Sequence, residues 1–183
     1  MGNMFKGCRL LKSLNLSNFH TPKVKYFDNM FKDCNLLENL DISNFDTSSA
    51  LSIDSMFLNC YTLTSLDISH FKILTIENMT SMFYNCSSLE YLELGNFDTS
   101  LVTKMNYMFY NCKSLKSLNL YSFNTSKLTS FNHTFDNINL SSYCTNDGIK
   151  EDIKNLLSSY TKMNCSDVCY SNSQRKYILN KNK

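Results

Sequence analysis

The feature that most constrains this chain is a repeat of 26 residues. The motif Met-Phe-x-x-Cys occurs five times, and each copy follows the previous one by 26 residues without an insertion. A degenerate sixth copy begins at Thr134, and five of the eight cysteines occupy one position of the repeat. Such a period predicts a solenoid, because one unit alone cannot bury its apolar face and successive units must stack. The five copies begin at Met4, Met30, Met56, Met82 and Met108.

The segment after each cysteine has the pattern of a short strand. It reads Leu-x-x-Leu-x-Leu-x-x-Phe, in two copies with isoleucine at the third position, and its centre alternates apolar and polar residues. Such alternation is typical of a half-buried strand. Neighbouring copies are expected to pair in parallel, about 4.8 Å apart, and to form a sheet on one face of the solenoid. The segments begin with Leu11, Leu37, Leu63, Leu89 and Leu115.

The other half of each unit has a longer apolar spacing. Its apolar residues fall at positions i, i+3, i+6, i+7 and i+10, which is one face of a helix or of tight turns. The spacing therefore predicts short helices or 3₁₀ turns on the face opposite the sheet. In the second unit these residues are Val24, Phe27, Met30, Phe31 and Cys34.

Polar corners link each strand to the following turn. Residues 46–48 and 98–100 read Asp-Thr-Ser, and residues 124–126 read Asn-Thr-Ser. These side chains can hydrogen-bond nearby backbone N–H groups and so start the next element. The third unit has Lys72-Ile73-Leu74 instead, so we expect a more apolar corner there that is looser or covered by a partner.

These elements predict an α/β repeat solenoid of the leucine-rich-repeat type over residues 1–140, with about five rungs. It is expected to be right-handed, because parallel crossover connections almost always are. Residues 141–183 are expected to form a C-terminal cap, since the end of a solenoid exposes an apolar cross-section. The N-terminal face is expected to be exposed, or covered by missing sequence or by another chain.

The predicted cap contains an amphipathic helix and a basic tail. Asp147 is the expected residue at the helix start. Residues 171–183 are polar and basic, and we expect them to be frayed. One face of the helix is expected to carry Ile149, Ile153, Leu156, Leu157 and Tyr160.

The cysteines fall into two groups. Those of the repeat are expected to stack as buried, unreactive thiols, because their side chains point the same way. Disulfides between adjacent rungs are a less favoured alternative, although the spacing permits them. Cys144, Cys165 and Cys169 lie outside the repeat and either include a disulfide or stay free. A metal site there is less favoured, because the sequence offers no obvious fourth ligand.

The candidate binding site is an outward row on the predicted strands. The polar residue between the second and third leucine positions is acidic in the middle units, and reads Asn15, Asp41, Asp67, Glu93 and Asn119. Flanking acids and aromatic residues extend it, namely Glu38, Glu90, Tyr91 and Tyr121. Because stacked acids repel one another, the row is either a stripe that binds a basic partner or a cation, or a solvated part of the ordinary repeat pattern.

Composition and motifs argue against several other functions. The net charge is +2, and no basic patch with interleaved aromatics indicates nucleic-acid binding. No apolar stretch approaches the roughly 18 residues of a membrane span. The chain has no glycine-rich phosphate loop, paired-carboxylate motif or Ser/His/Asp pattern. We therefore predict a protein that is not an enzyme and that has no cofactor and no bound metal.

The full repeat motif, read from Met82 to Ser100, resembles the BspA-like leucine-rich repeats of bacterial surface proteins. The resemblance covers about residues 4–140, and the motif recurs five times. It implies a surface-exposed or secreted protein that adheres to host proteins or to other cells. It implies no catalytic residue, because the positions shared by the family are structural.

The predicted function is protein–protein recognition, with a protein as ligand. Residues 1–19 show no signal peptide, so a cytoplasmic interaction scaffold is the alternative. A structural spacer within a longer surface protein is a third interpretation.

Overall fold

Short parallel strands recur once in each repeat. The computed structural model describes residues 1–94 and 97–165. Its elements are β1 (Ser13–Asn15), β2 (Asn39–Asp41), β3 (Ser65–Asp67), β4 (Tyr91–Glu93), β5 (Ser117–Leu120), β6 (Ser142–Thr145), α1 (Glu151–Leu157) and β7 (Thr161–Lys162). Strands one repeat apart pair in parallel, so that Leu14 lies opposite Leu40 and Leu66 opposite Leu92. The chain is therefore a parallel-strand solenoid of about five rungs, as the 26-residue period predicts.

The parallel sheet is divided along the solenoid. The described strands form three groups, β1–β2, β3–β4 and β5–β6–β7. Each strand has only two to four residues, so each pairing rests on few hydrogen bonds. The rungs are joined on the opposite face as well, where the N–H of Phe31 donates to the C=O of Met56 at 2.9 Å. That contact spans the boundary between β2 and β3, so continuity there comes from the turns.

The face opposite the strands consists of hydrogen-bonded turns. We call residues 27–34, with their equivalents 26 residues apart, the turn ladder. Alternate N–H groups donate to the next rung, as from Asn29 to the C=O of Asp54 at 2.9 Å. The intervening N–H groups close turns, as from Met30 to the C=O of Phe27 at 3.1 Å. Both sets of backbone donors thus find partners, as buried backbone must.

Left-handed residues explain why the predicted short helices or 3₁₀ turns are not formed. Neither kind of helix occurs in the described part of residues 1–140. Each rung has two left-handed positions four residues apart, such as Asn29 at φ 53° and Asp33 at φ 61°. A right-handed helix cannot continue through such a residue. Asn, Asp and Gly tolerate this conformation best, and the second position is occupied by Gly7, Asp33, Asn59, Asn85, Asn111 and Asn137.

A column of phenylalanine rings runs through the core beside the turn ladder. One ring from each rung stacks on the next, with centroids 5.5, 5.6 or 5.7 Å apart. Inner rings such as Phe57 are fully buried. The period of the chain therefore places identical side chains in contact and builds a continuous core. The column contains Phe5, Phe31, Phe57, Phe83, Phe109 and Phe135.

A row of side-chain amides accompanies the ring column. Nδ2 of Asn85 donates to Oδ1 of Asn59 at 2.9 Å, and Nδ2 of Asn111 donates to Oδ1 of Asn85 at 2.7 Å. Asn59 donates in the same way to Oδ1 of Asp33 at 2.7 Å. The residues that supply the left-handed backbone thus also tie adjacent rungs together.

Four of the five repeat cysteines are buried free thiols, as predicted. The Sγ of Cys60 donates to the C=O of Phe31 at 3.2 Å, and Cys86 bonds the C=O of Phe57 at the same distance. Cys8 departs from the prediction, because it lies in the first described rung and is exposed.

We expect the solenoid to lose stability as the pH rises above about 9. Burial raises the pKa of the Cys34 thiol from 9.0 to about 11 and that of Cys112 from 9.0 to about 12. Burial also raises the pKa of Cys86. Between about pH 9 and 12 the unfolded chain therefore releases protons that the folded chain keeps, and this favours unfolding. Urea midpoints measured from pH 7.5 to 10.5 check it.

The matched control for this pH dependence is Cys86→Ala, which removes one buried thiol and leaves the other titrating groups in place. Its urea midpoint should fall less steeply with pH than that of the unsubstituted chain. Equal slopes for the two proteins would show that thiol ionisation is not the cause.

Buried threonines join the corners of neighbouring rungs. The hydroxyl of Thr47 accepts the N–H of Lys72 at 2.7 Å and donates to the C=O of the same residue at 3.1 Å. Thr99 makes the equivalent pair of bonds to the next corner. In the third unit Ile73 occupies the threonine position and is buried, whereas Leu74 is exposed. The expected apolar corner therefore lies half in the core and half on the surface.

The C-terminal segment extends the stack and then forms a short helix. β6 pairs with β5, and β7 pairs with β6. α1 begins after Lys150, so the prediction of Asp147 as the helix start is wrong. The residues from Asp147 to Lys150 instead continue the corner of the preceding rung, because the N–H of Thr125 donates to the C=O of Gly148 at 3.0 Å.

The buried face of α1 is narrower than predicted. Ile149, Ile153 and Leu157 are buried, and the hydroxyl of Tyr160 donates to the C=O of Ile138 at 3.1 Å. Leu156 is 49% exposed, so its placement on the buried face is wrong. The seven-residue helix docks through Ile153 and Leu157, which are four residues apart and lie on one side, and Ile149 extends this row before the helix begins. Leu156 lies beside that row.

A disulfide joins Cys144 to Cys165, with Cα atoms 5.1 Å apart. It ties β6 to the segment that follows β7. The sequence left a disulfide or free thiols open for these cysteines, and Cys144 and Cys165 form the disulfide. Cys169 and the predicted basic tail, residues 171–183, lie outside the described residues.

Candidate partner-binding surface

The acids of the predicted stripe lie in one column on the outward side of the strands. Asn15 is opposite Asp41 in the β1–β2 pair, and Asp67 is opposite Glu93 in the β3–β4 pair. Because β3 and β4 are parallel and in register, the acids Asp67 and Glu93 stand side by side. We call this set the strand column: Asn15, Asp41, Asp67, Glu93 and Asn119.

The short members of the strand column also shape the backbone. Oδ1 of Asp41 accepts the N–H of Ser43 at 3.1 Å, and Oδ1 of Asp67 accepts the N–H of Ser69 at 3.0 Å. Asn15 accepts the N–H of the residue two further on in the same way. Asp and Asn both form this turn, which accounts for their occurrence at the position. A carboxylate is not needed for the turn, so the charge of the two aspartates has no structural function in that bond.

The two acids that flank the strand column, Glu90 and Glu38, have different surroundings. Nζ of Lys116 lies 2.7 Å from Oε2 of Glu90 and 5.3 Å from the ring centroid of Tyr91. The hydrogen bond to Glu90 raises the pKa of Lys116. Glu38, by contrast, lies exposed at the edge of an open depression between β2 and β3, whose other lining residues are Asn39, Thr62, Thr64 and Ser88. The negative charge of Glu90 is therefore partly offset by Lys116.

A second surface feature lies on the turn ladder and was not predicted from the repeat pattern. The rings of Tyr84 and Tyr110 stack at 4.9 Å, and the ring of Tyr107 stands steeply against both, at 6.1 and 5.8 Å. His133 stacks on Tyr107 at 5.0 Å, and its Nδ1 lies 2.6 Å from Oδ2 of Asp136. We call these five residues the aromatic cluster. The 26-residue step between Tyr84 and Tyr110, and between Tyr107 and His133, was the signal that would have revealed it.

Fold and surface together define the class of this protein: a tandem-repeat solenoid of parallel strands that displays columns of variable side chains. The family comparison matches residues 1–69 and 61–168 to "Mycoplasma protein of unknown function, DUF285". The chain therefore belongs to the DUF285 family. Comparisons with curated proteins and with solved structures found no match. No helix formed by the described residues has the length and hydropathy to cross a membrane.

Proposed function

We propose that the chain is a right-handed leucine-rich-repeat module of the BspA-like type that recognises a protein on a host or partner cell, with the strand column as its contact surface. The observation that carries this proposal is the register of the strands, which sets Asp67 beside Glu93, while Asp41 occupies the same position of the preceding rung. Closely spaced carboxylates attract a basic protein surface and accelerate its association.

The cap disulfide supports a location outside the cytoplasm. Disulfides persist in oxidising compartments and are rare where thiol reductants are abundant. The bond between Cys144 and Cys165 is therefore in keeping with a secreted or surface-exposed module. Alkylation of these two cysteines in intact cells before lysis would instead favour the intracellular scaffold.

Removing the charge of the strand column is expected to abolish recognition. In the triple variant Asp41→Asn, Asp67→Asn, Glu93→Gln, both asparagines retain the oxygen that closes the turn, so the fold should be kept. We expect capture of labelled host-surface and matrix proteins to fall at least about tenfold, with the loss mimicked by high salt. Quantitative pull-down against the unsubstituted chain measures it.

The matched control removes three acids elsewhere: Asp46→Asn, Asp98→Asn and Glu77→Gln. Asp46 and Asp98 close the same kind of turn at the corners, through the N–H groups of Ser48 and Ser100. This control should bind as the unsubstituted chain does. Unchanged capture by the strand-column variant would overturn the assignment and leave a structural spacer as the better interpretation.

A further inference from the structure

The aromatic cluster occupies two columns of the turn ladder in which the other rungs carry different residues. The first column is polar until it reaches aromatic residues, and reads Asn3, Asn29, Ser55, Ser81, Tyr107 and His133. The second changes from basic to aromatic to acidic, and reads Lys6, Lys32, Leu58, Tyr84, Tyr110 and Asp136. The core columns between them are nearly invariant, so this change of chemistry is not imposed by the fold.

The backbone at the cluster is left-handed, as it is in the equivalent residues of the other rungs. Tyr107 and His133 both have φ 57°, and Asn29, Ser55 and Ser81 have φ 53°, 55° and 56°. Asn and His tolerate this conformation better than Tyr does. Neither ring is needed to fill the core, since Tyr107 is 37% exposed and the side chain of His133 is 52% exposed. At Tyr107 an exposed aromatic side chain is therefore kept on a backbone conformation that costs free energy, which is a common feature of binding sites.

The chemistry of the cluster suits a planar cation. The faces of phenol rings attract cations, and guanidinium also stacks on them as a flat group. In the second column the stack of tyrosine rings ends at Tyr110, because the next rung has Asp136 there. The carboxylate of Asp136 adds a negative charge beside the ring of His133, with Oδ2 2.6 Å from Nδ1. The same chain already uses this kind of contact, where the ammonium of Lys116 lies over the ring of Tyr91 at 5.3 Å.

We propose that the aromatic cluster binds the guanidinium group of an arginine side chain presented by a partner polypeptide. The guanidinium stacks on the ring of Tyr110 and shares the carboxylate of Asp136 with His133. Tyr107 and Tyr84 form the wall that holds it. The site lies on the turn ladder and does not include the strand column, so it does not depend on the function proposed above.

The test uses a tri-arginine peptide and the full chain carrying the strand-column triple variant, so that the acids of that surface cannot contribute. We expect calorimetric titration to show binding of tri-arginine, weaker binding of tri-lysine, and none of tri-citrulline, which has the same shape without the charge. Tyr107→Asn and Tyr110→Leu should each weaken the affinity for tri-arginine at least about fivefold. Both replacements occur naturally in the same columns, at Asn29 and Leu58, so the fold should tolerate them.

Tyr26→Ser is the matched control, because Tyr26 is an exposed tyrosine outside the cluster and its loss should leave the affinity unchanged. Asp136→Asn should weaken binding of tri-arginine and tri-lysine alike. Absence of tri-arginine binding, equal binding of tri-citrulline, or an affinity in the two cluster variants equal to that of the protein without them would each overturn the proposal. Binding of neutral hexoses in place of the peptides would show that the rings recognise sugars. Because the strand-column acids are absent throughout, none of these outcomes bears on the function of the strand column.

Discussion

Replacement of Phe57 by alanine is expected to lower the free energy of unfolding by about 3–5 kcal/mol. Phe57 is fully buried and lies between two rings, with centroid distances of 5.5 Å to Phe31 and 5.7 Å to Phe83. Truncation removes apolar burial and two stacking contacts, and it leaves a cavity that neighbouring rungs cannot close without breaking their hydrogen bonds. Urea unfolding followed by circular dichroism measures the change.

The matched control is Phe5→Ala, at the same position of the first rung. Phe5 is only partly buried and stacks on one described ring, that of Phe31, at 5.6 Å. Phe5→Ala should lower the free energy of unfolding by less than half as much as Phe57→Ala, because the Phe5 ring is packed against another described ring on one face only. Equal losses for the two variants would mean that the ring column is not the main source of rung-to-rung stability.

Replacement of Asn85 by alanine is expected to lower the free energy of unfolding by about 2–5 kcal/mol. Asn85 has φ 60°, and its amide bonds Asn59 on one side and Asn111 on the other. Alanine adds about 1–2 kcal/mol of left-handed strain and leaves two amide groups without their partner, at about 0.5–1.5 kcal/mol each.

Asn85→Gly separates the two causes. Glycine adopts the left-handed backbone without strain but has no amide, so it should cost about 1–2 kcal/mol less than alanine. The comparison requires only urea unfolding of both variants under the same conditions. If alanine and glycine destabilise equally, backbone strain does not contribute and the amide row alone accounts for the loss.

The rung spacing and the identity of the core could be predicted well from the sequence. Met30, Phe31, Cys34 and Leu37 are buried as the repeat indicates, and their equivalents in the next three rungs are buried too. The spacing of apolar residues by three and four was misleading, because hydrogen-bonded turns and helices both place such residues on one side. The residue before each cysteine, which is always Gly, Asp or Asn, was the signal that favoured turns, since a left-handed residue at that point ends any helix.

The candidate surface was predictable only in part. The in-register row of Asp67 and Glu93 follows from the period, and its function stays a prediction. The pairing of Glu90 with Lys116 was not foreseen, because it depends on side-chain conformation as well as register. The aromatic cluster was not predicted, because its rings come from three rungs of an element that the sequence predicts only as short helices or 3₁₀ turns.

What the sequence determined by itself is the repeat: the period, the parallel stacking and the columns of Phe, Met, Leu and Cys that form the core. These features follow from the sequence because apolar residues recur with a fixed period along the chain. Their burial can therefore be predicted without knowing which distant residues are in contact. Only the tertiary structure decided that the second face is a turn ladder, because hydrogen bonds to the next rung compete there with those inside a helix. It also decided which rings meet in the aromatic cluster and that Cys144 bonds Cys165, since these contacts depend on how the rungs and the cap pack together.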